Sequence, residues 1–164
     1  MAVETPIPAL TEPEKAWLAA IIDGEGSIGI YRSRRPKTKT GWRFYPCVSF
    51  YNTNEALMDR FVELTSQWVT RRRKIVNGSS LTNKEVHVVE IRYGTTGDFL
   101  NTIKEYLIAK KGQADLVLRM LEVQRPVGHR NADLIPFFNS LYVESRRLNH
   151  KGTKVFDEES LALI

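Results

Sequence analysis

Two carboxylates, each followed by a glycine, close an apolar stretch near the start of the chain: Trp17-Leu18-Ala19-Ala20-Ile21-Ile22-Asp23-Gly24-Glu25-Gly26. The apolar run reads as a helix, and a strand begins directly after it at Ser27-Ile28. An anion at a helix C-terminus opposes the macrodipole by about 0.3–1 kcal/mol. Glu25 therefore stands against a local rule, as functional residues often do. Its simplest chemical use is as an oxygen ligand for a hard divalent cation such as Mg2+, with the backbone carbonyl of Gly24 as a further candidate ligand. Ala16, Ala20 and Gly24 recur every four positions and share one helix face, where another backbone can approach closely. The plainer use of the glycines is as helix caps, which would leave Glu25 a surface acid.

Composition bounds what such a site can serve. The chain has 164 residues, enough for one domain with a core, and 7 Phe, 6 Tyr, 3 Trp and 3 Met to fill it. No apolar run approaches the roughly 18 residues that span a bilayer. The opening Met1-Ala2-Val3-Glu4-Thr5-Pro6-Ile7-Pro8 lacks a basic stretch followed by an apolar one, so no secretory signal is expected. A single cysteine, Cys47, excludes an internal disulfide framework and fits a reducing compartment. An intracellular location, cytoplasm or organelle matrix, is the expectation. His87, His129 and His150 are scattered without metal-ligand spacing, which argues against a zinc site.

The net charge is +5, and its distribution says more than its size. Arg32, Arg34, Arg35, Lys37, Lys39 and Arg43 fall between Tyr31 and Ser49 with no acid among them. Arg71-Arg72-Arg73-Lys74 form a second cluster. Two basic runs in strand-like sequence with aromatic neighbours favour a nucleic-acid face over a merely solvated surface.

These residues need elements to hold them. Residues 1–10 read as a flexible leader, residues 11–149 as one domain and residues 150–164 as a loosely held tail. Thr11 and Glu14 form a capping box, which opens a first helix running to about Asp23. Strands are expected over Ser27–Tyr31 and Trp42–Tyr51, joined by the basic turn Arg34–Gly41. Asn52-Thr53-Asn54-Glu55 opens a second helix, with Leu57, Phe61 and Leu64 at helical spacing. Strands follow near Val69–Val76 and Val86–Tyr93, joined by a polar turn from Asn77-Gly78 to Lys84. Helices are expected from Gly94 to about Leu107, Gln113 to Val123 and Leu134 to Leu148, with a break at Pro126-Val127-Gly128.

The order helix, hairpin, helix, hairpin, helix predicts an α+β fold of αββαββα type. Its four-stranded antiparallel sheet would be covered by helices on one face, with additional helices toward the C-terminus. The uncovered face would form a saddle carrying Ser27, Gly29, Tyr31, Tyr45, Cys47, Ser49 and Tyr51 from the first hairpin. Val88, Glu90 and Arg92 would join them from the fourth strand. The third strand defeats the alternation test, because four consecutive basic residues give no periodicity; Arg71 and Arg73 are the candidates taken. Together with Arg32, Arg34, Arg35, Lys37, Lys39 and Arg43, these residues make a candidate DNA-binding surface, since a β-ribbon fits the major groove.

The segment Leu18-Ala19-Ala20-Ile21-Ile22-Asp23-Gly24-Glu25-Gly26 resembles the signature of the LAGLIDADG homing endonucleases. Ala20 stands where the family usually has glycine, and Glu25 where it most often has its second aspartate. The resemblance extends over most of residues 11–148, including Lys110-Lys111-Gly112-Gln113-Ala114-Asp115-Leu116-Val117-Leu118, which is similar to a segment of the single-motif branch. It implies a site-specific DNA endonuclease that uses Mg2+ or another divalent cation, cuts both strands and leaves short 3′ overhangs. It further implies Glu25 as metal ligand, Lys110 as the cation at the cleavage site and Asn54 as an organiser of water. Asp23 matches the acid that more often satisfies backbone groups at the helix junction. Met58 stands where some members carry a second basic residue, a supply that Arg71, Arg73 or Lys111 would have to replace.

Only one copy of the motif is present, which implies a homodimer packed through Ala16, Ala20 and Gly24 and a near-palindromic target. Two Glu25 carboxylates brought together would repel unless a cation lay between them. Rival readings keep the fold but change the task, to an intron-RNA maturase or to a DNA-binding regulator that does not cut. Lys110 and Asn54 also have plainer uses, as a helix-end cation and a helix N-cap.

Overall fold

The computed structural model of the chain describes residues 9–38, 40–76, 85–124 and 132–150. Helix α1 (Glu12–Glu25) starts at the predicted capping box: Thr11 Oγ1 accepts from the Glu14 N–H, and the Glu14 carboxylate accepts from the Thr11 N–H at 2.9 Å. Leu10, assigned to the leader by sequence, packs against the core. Residues 1–8 of the expected leader, the 77–84 turn, the 126–128 break and nearly all of the expected tail lie outside the described residues.

Strands β1 (Gly26–Arg34) and β2 (Trp42–Asn52) form the first hairpin, and β3 (Arg71–Val76) and β4 (Glu85–Arg92) the second. The sheet order is β1-β2-β4-β3, antiparallel throughout. Pro46 sits within β2, where a missing N–H would usually break a ladder. It is tolerated because its nitrogen faces the side where β4 has already ended, and its carbonyl accepts from Tyr93 N–H just beyond that end. Tyr93 takes φ 62, an unusual conformation for a residue with a side chain, as the chain turns from β4 into the next helix.

The helices are α2 (Glu55–Thr65), α3 (Gly94–Ile103), α4 (Lys111–Val123) and α5 (Ile135–Leu148), with a short 3-10 turn over Lys104–Tyr106. That turn replaces the last part of the longer helix expected from Gly94. One face of the sheet carries Ile28, Ile30, Val48, Phe50, Val89 and Ile91, all buried against helical side chains that include Leu18, Ile22, Phe61, Phe99 and Leu100. Phe50 and Phe61 meet with ring centroids 4.9 Å apart, and Trp68 closes on Phe99 at 5.5 Å. The αββαββα order and its C-terminal helices are those the sequence predicts. No described helix is long and apolar enough to cross a membrane.

Candidate active site at the end of the first helix

Glu25 is the last residue of α1 and is exposed. The helix stops there because Gly26 turns extended, with its N–H donating to the Ile21 and Ile22 carbonyls. A Cβ at Gly26 would lie 2.7 Å from Ile22 Cδ1 and 2.8 Å from Ile22 Cα, so the turn admits only glycine. Gly24 differs: it lies within the helix, and a Cβ there would meet nothing within 4 Å. Its open surface continues along exposed Ala20 to half-buried Ala16.

The two motif acids divide the work. Asp23 accepts the Ile108 N–H at 2.6 Å and the Lys110 N–H at 2.9 Å, which pins the segment between the 3-10 turn and α4 onto the end of α1. Lys110, only 8% exposed, turns its ammonium back onto the same helix end, donating to the Ile22 carbonyl at 2.9 Å and to the Asp23 carbonyl. It thereby offsets the negative end of the α1 dipole, where Glu25 adds a further negative charge. Lys110 is not part of the helix that follows; α4 begins at Lys111, earlier than expected.

Asn54 Oδ1 accepts the Leu57 N–H at 3.0 Å, so the residue expected to organise water is also the N-cap of α2. The side chain that reaches Glu25 is Asn52, whose amide donates to Glu25 Oε2. Asn52 Oδ1 in turn accepts the Asn54 N–H at 2.8 Å. Sequence reasoning placed Asn52 only at a helix opening. Its proximity to Glu25 comes from the hairpin register that pairs Gly26 with Phe50. Met58 is fully buried in the core, so no cation can stand there.

Among the described residues, no three His, Cys, Asp or Glu side chains gather as a cation cage. A single exposed carboxylate is nonetheless the donor set that suits Mg2+, which takes one or two carboxylates and completes its shell with water and phosphate oxygens. The Gly24 carbonyl, in the last turn of α1, belongs to the group of helix-end acceptors left without an i+4 donor.

The register also sorts the candidate DNA-binding residues. Ser27, Gly29 and Tyr31 lie opposite Ser49, Cys47 and Tyr45, and Cys47, Ser49 and Tyr51 lie opposite Arg92, Glu90 and Val88. Arg71 and Arg73 pair with Glu90 and Val88, which puts them on this same face; Arg72 and Lys74 fall on the other, bonded to Asp59 and Glu55 of α2. Tyr31, Arg43, Tyr51 and Arg71 are exposed on it. Tyr31, Tyr45 and Tyr93 form a row with centroid separations of 5.9 and 5.7 Å. Glu90, 5% exposed, binds Arg92 at 2.8 Å and draws in Arg73 at 3.8 Å and Arg71 at 4.0 Å.

Three expectations need correction. Arg32 and Arg34 have the parity of Ile28 and Ile30 and belong to the helix side. Arg32 donates to Asn139 Oδ1 at 3.0 Å and lies over the Trp42 and Tyr142 rings, while Arg34 reaches the Trp42 ring. Gly29 is buried at the β1 edge, where a Cβ would lie 3.2 Å from Ser145 Oγ of α5. Cys47, Ser49, Val88 and Glu90 sit on the DNA-candidate face but are covered by their neighbours rather than open to solvent. Arg35 and Lys37 are exposed in the 35–41 turn, and Lys39 lies outside the described residues.

Solved structures match this architecture over most of its length. The homing endonuclease I-CvuI, in complex with the I-CreI target and magnesium with its DNA not cleaved, aligns with a TM-score of 0.74 at 16% identity, over 92% of this chain and 90% of its own. The fold is that of the homing endonucleases. An archaeal intron-encoded homing endonuclease, I-Vdi141I complexed with DNA, gives 0.67 at 17% identity and 92% of both chains. I-SmaMI, bound to uncleaved DNA with calcium, gives 0.56 at 21% identity over 93% of this chain but only 48% of its own, so one copy of this homing-endonuclease fold corresponds to about half of that protein. No family model and no curated protein sequence matches the chain.

Proposed function

We propose that this chain is a site-specific DNA endonuclease that acts as a homodimer with Mg2+ or another divalent cation. The observation that carries the proposal is the end of α1. An exposed Glu25 stands there beside a buried lysine, on a fold shared with homing endonucleases whose structures were solved with DNA, I-CvuI and I-Vdi141I among them. When bound, the cation would polarise the scissile phosphate and acidify an attacking water.

Each residue has a stated task. Glu25 supplies the carboxylate oxygens, with the Gly24 carbonyl beside them. Lys110 holds a positive charge at a fixed place within a turn of Glu25, where it stabilises charge developing on phosphate oxygens. Asp23 keeps Lys110 in place through the two N–H groups it accepts. Asn54, exposed beside the site, orients water while its side-chain oxygen caps α2 and its N–H holds Asn52. Lys111, exposed beside Lys110, is a further cation.

The sheet face grips and reads DNA. Tyr31, Arg43, Tyr51 and Arg71 are its outermost side chains, with the Arg35–Lys37 turn as a flanking phosphate contact. Two copies meeting at Ala16, Ala20 and Gly24 would bring two Glu25 sites onto opposite strands of a near-palindromic site, giving a double-strand break with 3′ overhangs.

The test is incubation of the purified chain and its Glu25→Gln variant with a randomised duplex library, in magnesium and in chelator. Metal-dependent double-strand cleavage at one long site, absent in the variant, is expected. Specific binding without cleavage would instead establish a DNA-binding regulator. Retention of structured intron RNA with no DNA preference would establish a maturase.

A further inference from the structure

We infer that Asn52 is the positioning residue for Glu25, setting which carboxylate oxygen faces a cation and doing so without adding charge. The inference rests on the proposed role of Glu25. Both ends of the Asn52 amide are used: Nδ2 donates to Glu25 Oε2, and Oδ1 accepts the Asn54 N–H at 2.8 Å. That second bond fixes the amide orientation, because a flipped amide would set two N–H donors against each other. Asn54 is itself held, since its own side chain caps α2 at Leu57 N–H. A chain of bonds thus runs from the first turn of a rigid helix to the one exposed acid of the α1 terminus. It leaves Glu25 Oε1 as the oxygen presented outward.

A neutral donor suits this place better than a cation. Lysine or arginine at position 52 would pair with Glu25 and compete with a divalent ion for it, whereas an amide orients the carboxylate and leaves its charge intact. Residues that orient a metal ligand typically change metal affinity by 10- to 100-fold when removed. Asn52 is half-buried at the end of β2, so the low end of that range applies.

The experiment is a calorimetric calcium titration of the full chain bound to a duplex that it retains from a randomised pool in calcium. The chain, Asn52→Leu, Asn52→Asp and Glu25→Gln are compared, and thermal unfolding of each free protein is recorded. Asn52→Leu is expected to weaken calcium about tenfold. Asn52→Asp keeps the acceptor for Asn54 N–H but exchanges the donor for a second carboxylate, and is expected to tighten calcium. Opposite shifts from two substitutions at one position, with similar melting temperatures, are what positioning predicts. Equal calcium affinity in the chain and both Asn52 variants, with binding lost only in Glu25→Gln, would overturn the inference and leave the role of Glu25 standing. Unchanged binding in Glu25→Gln, or no duplex retained, would overturn the proposed function itself.

Discussion

Asp23 and Glu25 are two residues apart and carry the same charge, yet the structure gives them different surroundings. Asp23 is tied to two backbone N–H groups, whereas Glu25 is exposed at the helix end with a single side-chain partner described. Asp23→Ala should therefore cost about 1.5–3 kcal/mol of stability, the scale for hydrogen bonds to a charged group, and lower Tm by several degrees. Glu25→Gln should leave Tm unchanged or slightly higher, because it removes an anion from a helix C-terminus, while abolishing cleavage. Thermal unfolding beside a cleavage assay on both variants separates the roles; a Tm loss in Glu25→Gln would show that acid to be structural. Cys47 offers a second residue-scale check. Burial, and then the nearby Glu90 carboxylate, push its thiol from 9.0 up to about 11, so it stays protonated and closed to thiol reagents at pH 8. A raised folded-state pKa means stability from this group is full below about pH 9 and is lost as pH rises through about 11; Cys47→Ser should flatten that alkaline decline in a Tm-against-pH series. The site was only partly legible in sequence. Carboxylates at a helix end stand out because they break a local rule, but Asn52 breaks none, and only the β1–β2 register carries it to Glu25.

At the scale of elements, the sequence pattern succeeds where one face of a strand is apolar and fails where it is not. Ile28-Gly29-Ile30 and Val48-Ser49-Phe50 alternate cleanly, and the sheet buries the predicted face. The run Arg71-Arg72-Arg73-Lys74 has no apolar member to mark its inner side; the partners Asp59 and Glu55 on α2 decide that Arg72 and Lys74 turn toward the helices. Arg32 and Arg34 mislead for a related reason. Charge suggests a contact on the DNA-candidate face, but strand parity puts both on the helix side, where Arg32 lies over the Trp42 and Tyr142 rings and exposed Arg34 over Trp42. The placement of α5 was not legible at all, since it depends on polar groups meeting an edge. Ser145 Oγ accepts the Ile30 N–H at 3.0 Å, and the Asn149 amide donates to the Ile28 carbonyl at 2.9 Å, so α5 satisfies the free edge of β1. Ser145→Ala leaves a buried N–H without its partner and should cost about 1–3 kcal/mol. Gly29→Ala forces Ser145 to shift and should cost about 1 kcal/mol. Denaturant unfolding measures both; if Gly29→Ala is neutral in stability but weakens DNA binding, Gly29 belongs to the DNA face after all.

For the whole molecule, the decisive quantity is the number of copies. The described residues of one chain bring a single exposed carboxylate to the α1 terminus without a cation cage, and the fold covers about half of I-SmaMI. One unit therefore offers one candidate site, whereas breaking both strands of a duplex calls for two. The surface that could join two units is the small-residue face of α1, where Gly24 opens onto empty space and Ala20 is exposed. Isologous packing there puts each residue near its own counterpart across the axis, so one added charge is felt twice. Ala20→Arg should convert the proposed dimer to a monomer by sedimentation velocity while leaving the far-ultraviolet dichroism unchanged, because position 20 is exposed. The salt dependence of DNA binding supplies an independent count. Each phosphate neutralised by lysine or arginine contributes about −0.9 to the slope of log affinity against log salt, so the monomeric variant should show about half the slope of the parent. On the proposed dimeric mechanism double-strand cleavage should disappear with it, since a second Glu25 would no longer stand opposite the first. A variant that stays dimeric with the full slope would place the two-fold axis elsewhere on the molecule and remove the assignment of Ala16, Ala20 and Gly24 to it.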